Sequence, residues 1–161
     1  MRRGAGIFVI LLLASAALTL TQHRTLAEES AAAGQDQSLD EPQQVVVHLS
    51  HFTDDLHRCF MALKVANLMQ EHGASVTIFL DLEGVRLAER RQLLNLTWGP
   101  DSPPLSEHYE KFTEGGGKIV VCPHCAKSAR IGDGSLKRHA EIATMPSLGK
   151  LLMDADKIMD Y

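Results

Sequence analysis

From residue 44 onward the chain alternates apolar runs of two periods, and that alternation predicts its architecture. Gln44-Val45-Val46-Val47-His48-Leu49 is a β-branched run of strand length, as are Ser75-Val76-Thr77-Ile78-Phe79-Leu80 and Lys118-Ile119-Val120-Val121. Between the first two, Leu56, Phe60, Leu63, Ala66 and Met69 recur at helical spacing, with Thr53 or Asp54 as cap and Gly73 as the stop. Asp81-Leu82-Glu83-Gly84-Val85 reads as a turn, Arg86 to Asn95 as a short helix, and the Pro- and Gly-rich stretch 97–104 as a loop. Leu105 to Thr113 predicts a helix that ends at Gly115-Gly116-Gly117. After the third strand, a helix is expected through Ala126 to Ile131. The tail is expected to add a strand at 140–143, a helix at 147–154 and a closing strand at 157–160. Strands alternating with helices imply βαβ crossovers and a mostly parallel, five-stranded sheet covered on both faces.

The first 43 residues do not share this pattern. Arg2 and Arg3 precede an apolar run from Ile7 to Leu20, and Ala14-Ser15-Ala16 and Thr25-Leu26-Ala27 supply small-residue cleavage sites. The run is about 14 residues, short of the roughly 20 that span a bilayer. Residues 1–27 therefore read as a cleaved secretory signal, with no stable membrane insertion afterwards and the bacterial periplasm as destination. Residues 28–43 are rich in Ala, Gln, Ser, Asp and Glu and read as a disordered linker. Residues 44–161 are left as one α/β domain with a single core.

Charge narrows the partners. Residues 1–27 hold three of the 16 basic side chains and none of the 20 acidic ones, so the remainder carries a formal charge of −7, 13 against 20. An acidic exported domain lacks the basic footprint that nucleic acid requires.

The chemistry concentrates in Cys122-Pro123-His124-Cys125, placed where the third strand ends and a helix begins. In parallel sheets ligand chemistry lies outside the carboxyl ends of the strands. A thiolate at a helix N-terminus faces unpaired backbone N–H groups, which favour the charged form, and the imidazole of His124 favours it further. Cys125, at i+3, falls on the same helical face as Cys122. Cys59, beside Phe60 on an apolar helix face, reads as a buried small hydrophobe. Asp54 and Asp55 read as helix N-terminal acids, and Trp98 as the anchor of its own loop, with a cover over the site or a subunit contact as the alternatives. His72, His108 and His139 read as surface residues.

Three readings of the motif arise. Cys-Pro-His-Cys is the active-site tetrapeptide of DsbA-type periplasmic thiol–disulfide oxidoreductases, but only 36 residues follow Cys125 here. A metal reading draws on His48 and His51 leaving the first strand and on Cys122, His124 and Cys125 leaving the third. In a flavodoxin-like order those strands are neighbours, and two thiolates with imidazoles suit zinc or copper.

The third reading rests on context. Lys118-Ile119-Val120-Val121-Cys122-x-x-Cys125 followed by Ala129-Arg130-Ile131-Gly132 resembles the DsrE/DsrF-like (TusD/YchN-like) sulfur-relay family. Thr77-Ile78-Phe79-Leu80 with Gly84-Val85, and Leu148 to Tyr161, resemble that family's second strand and turn and its closing helix and strand. The resemblance implies a flavodoxin-like three-layer sandwich that assembles as a trimer or hexamer. It also implies that Cys122 carries sulfur as a persulfide without any cofactor. Cys125 would then be the resolving thiol, and a donor or acceptor protein or inorganic polysulfide the partner.

Overall fold

The computed structural model describes residues 41–161, so the expected leader and the linker as far as residue 40 lie outside the described residues. In chain order the elements are β1 (Gln44–Leu49), α1 (Leu56–Glu71), β2 (Ser75–Leu80), a 3₁₀ segment (Leu82–Ala88), α2 (Leu105–Glu114), β3 (Lys118–Val121) and α3 (Pro123–Ser128). A single 3₁₀ turn (Asp133–Ser135), β4 (Ala140–Ile142), α4 (Met145–Met153) and β5 (Lys157–Asp160) complete the chain. The strands form one sheet in the order β4-β3-β2-β1-β5, and every pairing is parallel.

This is the expected flavodoxin-like α/β sandwich, with one correction that matters for the site. The first and third strands are not neighbours. Successive crossovers carry the chain from β1 to β2 to β3 to β4 in one direction, and only β5 returns to the far side of β1. The strand order therefore reverses between β1 and β5, and β2 stands between His48 and the cysteine motif.

The strand sequences are apolar on both faces because both faces are covered. Val45, Val47, Leu49, Ile78, Leu80, Ile119 and Val121 meet Phe60, Leu63, Phe112 and the 3₁₀ residues Val85, Leu87 and Ala88. On the other face Val46, Phe79 and Val120 meet Leu148 of α4. Each fully buried Leu, Ile, Val or Phe side chain contributes about 1.5–3 kcal/mol relative to exposure. Asp55, rather than Thr53 or Asp54, caps α1 by accepting the Arg58 N–H at 3.2 Å. Thr144 and Ser147 form a reciprocal capping box at the start of α4, so that helix begins two residues before the expected Ser147.

Two expected helices are shorter or absent. Residues 89–95 do not form one, because their backbone groups bond outward. Arg90 N–H donates to the Ser135 carbonyl at 2.7 Å, and Glu89 bridges Leu136. Lys137 Nζ donates to the carbonyls of Glu89 and Gln92, the latter at 2.6 Å. Helix α3 stops at Ser128 instead of Ile131 because Arg130 takes the left-handed conformation (φ 58°) and Ile131 N–H returns to the Ala126 carbonyl at 2.9 Å, a closing bond of Schellman type. His108 is not a surface residue: its ring meets Phe60 edge-on at 5.7 Å, and burial pushes its pKa down.

Lys137 is half-buried, and burial lowers its ammonium pKa to about 8. Its two carbonyl bonds join the Arg90–Ser135 bond and the Glu89–Leu136 bridge in tying 89–92 to the segment before β4. Truncation by Lys137→Ala is expected to cost about 2 kcal/mol, read as a lower urea midpoint. An unchanged midpoint would show that the tie is idle.

Candidate functional site at the carboxyl edge of the sheet

Leu49, Leu80 and Val121 stand in one row across β1, β2 and β3. The residues that follow them, Ser50, Asp81 and Cys122, therefore leave the carboxyl edge side by side. Backbone bonds hold this next row in place. Asp81 N–H donates to the Leu49 carbonyl (3.3 Å), Cys122 N–H to the Leu80 carbonyl (2.8 Å), and Ser50 N–H to the Tyr161 carbonyl (3.1 Å). Strand alternation turns the side chains of this row toward the α4 face, because 49, 80 and 121 fill the other. Cys122 accordingly packs against the Val46, Phe79 and Val120 cluster while staying partly exposed.

Cys122 is the N-cap of α3, as expected, yet its thiol accepts no capping hydrogen bond, and the helix is only six residues long. The side chain follows the strand's facing and not the helix entrance. Cys125 packs toward the opposite core. It lines an open groove of about 350 Å³ with Leu82, Glu83, Arg86, His124 and Ser128. Burial pushes the Cys125 thiol above its ordinary value, and contact with the Cys122 side chain pushes the same way, while a backbone hydrogen bond at Leu82 pulls it down. Leu82 is itself held at φ 40°, in the left-handed region that a bulky residue rarely adopts. His124 is exposed at the groove, and among the described residues no hydrogen bond joins it to either thiol.

His48 is placed differently from the metal reading. Its ring stacks on Phe79 (5.1 Å between centroids), and Nδ1 lies 2.7 Å from Asp160 Oδ1. Nε2 lies 3.2 Å from Ser50 Oγ and 3.0 Å from Asp81 Oδ1. The Asp81 approach has ion-pair distance without hydrogen-bond alignment, so Oδ1 is shielded from solvent with no aligned donor. His51 is engaged elsewhere, 2.6 Å from Asp54 Oδ2. The Phe52 N–H and His51 together hold the Asp54 carboxyl below its usual range. Among the described residues, no three His, Cys, Asp or Glu side chains are grouped to hold a metal ion. Trp98 stacks on His57 (4.4 Å, 8° between planes), which anchors its loop to α1.

Sequence reasoning missed Asp81, Ser50 and Asp160. A signal was present: Asp81 follows its strand by the same one-residue offset as Cys122 follows its own, but that becomes a shared site only once the register is known.

Cys59 is fully buried, its Sγ donating to the His51 and Phe52 carbonyls at 3.2 and 3.3 Å, and burial pushes its pKa to about 12. A disulfide reagent is expected to titrate the two thiols of the motif in the native protein and the third only after denaturation. Fast reaction of Cys59 would contradict this packing.

Comparison with known proteins agrees with the topology. A model of the DsrE/DsrF-like family matches residues 43–161. The uncharacterized protein MK0008 of Methanopyrus kandleri is 27% identical over 118 residues, covering 73% of this chain and 93% of that protein. The structure of the ychN protein from E. coli superposes with a TM-score of 0.62 at 20% identity, over 75% of this chain and 100% of that one. MTH1491 from Methanobacterium thermoautotrophicum, described as a protein of unknown function, follows with 0.58 at 15% identity, over 74% and 99%. The family match runs from the residue before β1 through the end of β5, across the whole sheet and the cysteine edge, and the chain belongs to the DsrE/DsrF-like family.

Proposed function

We propose that this protein is a sulfur carrier in which Cys122 accepts sulfane sulfur as a persulfide and Cys125 resolves it. Family membership supports a function of the sulfur-relay type. The observation that carries the finer reading is the position of Cys122. It lies one residue beyond β3 at the carboxyl edge, partly exposed, with Cys125 three residues on in the first turn of α3.

In the first step the Cys122 thiolate attacks the outer sulfur of a donor persulfide R–S–SH. The donor S–S bond breaks, R–S⁻ leaves, and Cys122–S–SH forms. In the second, the Cys125 thiolate attacks the Cys122 sulfur, the bound sulfur leaves as HS⁻, and a Cys122–Cys125 disulfide remains. A dithiol reductant then returns both thiols. The donor is an inorganic polysulfide or a persulfidated protein. The residue 1–27 leader supports a periplasmic site of action, and Met145, Met153 and Ile158, exposed along α4 and β5, support self-association as a trimer or hexamer.

Exposure to inorganic polysulfide followed by desalting and intact-mass measurement tests the reading. The wild type is expected to gain sulfur, and Cys125→Ser to gain it and keep it. No gain in mass, together with stoichiometric binding of zinc or copper, would overturn the carrier reading in favour of a metal protein.

A further inference from the structure

We propose that the reductant restoring the two thiols enters through the groove between Leu82 and Ser128 and attacks Cys125, so that Cys122 is the sulfur expelled. The inference deepens the proposed carrier function and rests on its Cys122–Cys125 disulfide.

The two cysteines open on different sides of the sheet edge. Cys122 packs with Val46, Phe79 and Val120 on the α4 face. Cys125 packs against the opposite core and lines the open groove of about 350 Å³, whose walls include Leu82, Arg86, His124 and Ser128 but not Cys122. A disulfide joining them therefore runs from the groove side to the α4 side. Thiol–disulfide exchange requires the incoming thiolate in line with the bond that breaks, on the far side of the sulfur it attacks. At Cys125 that line leads out into the groove. At Cys122 it leads toward the α4 face, where the side chain is packed against Phe79 and Val120. A one-atom HS⁻ can leave on that side, whereas a thiol carried on a larger molecule needs the groove.

The lining of the groove fits a thiol borne on a peptide. Leu82 is 64% exposed and offers an apolar contact. Arg86 and His124 stand beside Cys125 with polar groups, and Arg86 is held by Glu83 at 2.8 Å. The volume lies at the lower end of the roughly 300–1,000 Å³ of small-ligand sites, enough for the tip of a reductant and not for its bulk. Burial raises the Cys125 thiol, and that disfavours its departure as a thiolate.

In the first step a reductant thiolate R′–S⁻ attacks the Cys125 sulfur. The Cys122–Cys125 bond breaks with both electrons on Cys122, which takes a proton from water, and Cys125–S–S–R′ remains. A second reductant thiolate attacks the R′ sulfur, and Cys125 leaves and is protonated in turn. The disulfide has become two thiols, and the reductant's two thiols have become a disulfide.

The disulfide form is prepared with diamide, so that the measurement does not depend on sulfur loading. It is mixed with glutathione, a monothiol whose first adduct accumulates, then acid-quenched at intervals, alkylated and digested. The peptide spanning both cysteines is fragmented in the mass spectrometer to place the adduct. The earliest glutathione is expected on Cys125, with Cys122 alkylated, in about tenfold excess over the reverse. Ser128→Phe, which fills the groove from the exposed end of α3, is expected to slow glutathione reduction about tenfold relative to polysulfide loading of Cys122. Glutathione appearing first on Cys122 or on both cysteines alike, or Ser128→Phe keeping the wild-type ratio of reduction to loading, would overturn entry through the groove. If Ser128→Phe does not fold, the adduct position in the wild type decides alone. A chain that forms no Cys122–Cys125 disulfide would instead sink the resolving role of Cys125 in the proposed function.

Discussion

Cys122→Ser protein is expected to take up sulfur from polysulfide at least about 1,000-fold more slowly than the wild type while keeping its fold. The chemistry needs an ionised, polarisable nucleophile, and a serine hydroxyl at this position has no adjacent base aimed at it. The fold should survive because the backbone of residue 122 is held independently of its side chain. Its N–H bonds the Leu80 carbonyl, and its carbonyl accepts from Ala126 N–H at 2.9 Å. For a partly exposed position the stability change is expected to stay within about 1 kcal/mol. Cys59→Ala is the matched control: it removes a buried thiol from α1 and is expected to leave sulfur uptake intact. Uptake that survives Cys122→Ser and vanishes with Cys59→Ala would reverse the assignment.

Gly84→Ala is expected to be the most damaging single-methyl change near the site, lowering stability by about 3 kcal/mol and Tm by on the order of 10 °C. An added Cβ would lie 2.2 Å from the Leu49 carbonyl oxygen and 3.0 Å from its carbon, which are backbone atoms with no flexible end to move aside. Gly84 N–H also donates to the Ser50 carbonyl at 3.1 Å, so the close approach is part of how the 3₁₀ segment docks on β1. Relief requires either displacing Leu82–Ala88, whose Val85, Leu87 and Ala88 are fully buried, or shifting the end of β1. Each route moves the Ser50, Asp81 and Leu82 backbone. Sulfur uptake and release should therefore fall with stability, and a melt within about 1 °C of wild type would refute the tight docking.

The strands and the location of the cysteines were legible because local pattern is enough to specify them. Val45-Val46-Val47, Val76 to Leu80 and Ile119-Val120-Val121 are apolar on both faces, as a covered parallel sheet demands, and the carboxyl-edge rule then locates Cys122. Strand order was not legible, since it depends on which way each crossover steps. That one unknown produced the expected meeting of His48 and His51 with the cysteines, where β2 in fact intervenes. The same unknown hid Asp81, an ordinary turn residue until Leu49, Leu80 and Val121 are aligned. Helix ends failed for a different reason. Residues 89–92 satisfy their backbone through Lys137 and Ser135, and Arg130 adopts a left-handed turn inside the stretch expected to be helical. Both depend on tertiary partners that periodicity does not contain.

Locating the transferred sulfur tests the central claim most directly. The protein is exposed to polysulfide, its thiols and persulfides are trapped with an alkylating agent, and its peptides are weighed without reduction. A dithio-alkyl adduct on Cys122, or the Cys122–Cys125 disulfide that its resolution leaves, with Cys59 carrying neither, is the predicted result; sulfur found on Cys59 or Cys125 but not on Cys122, or neither adduct nor that disulfide, would contradict it.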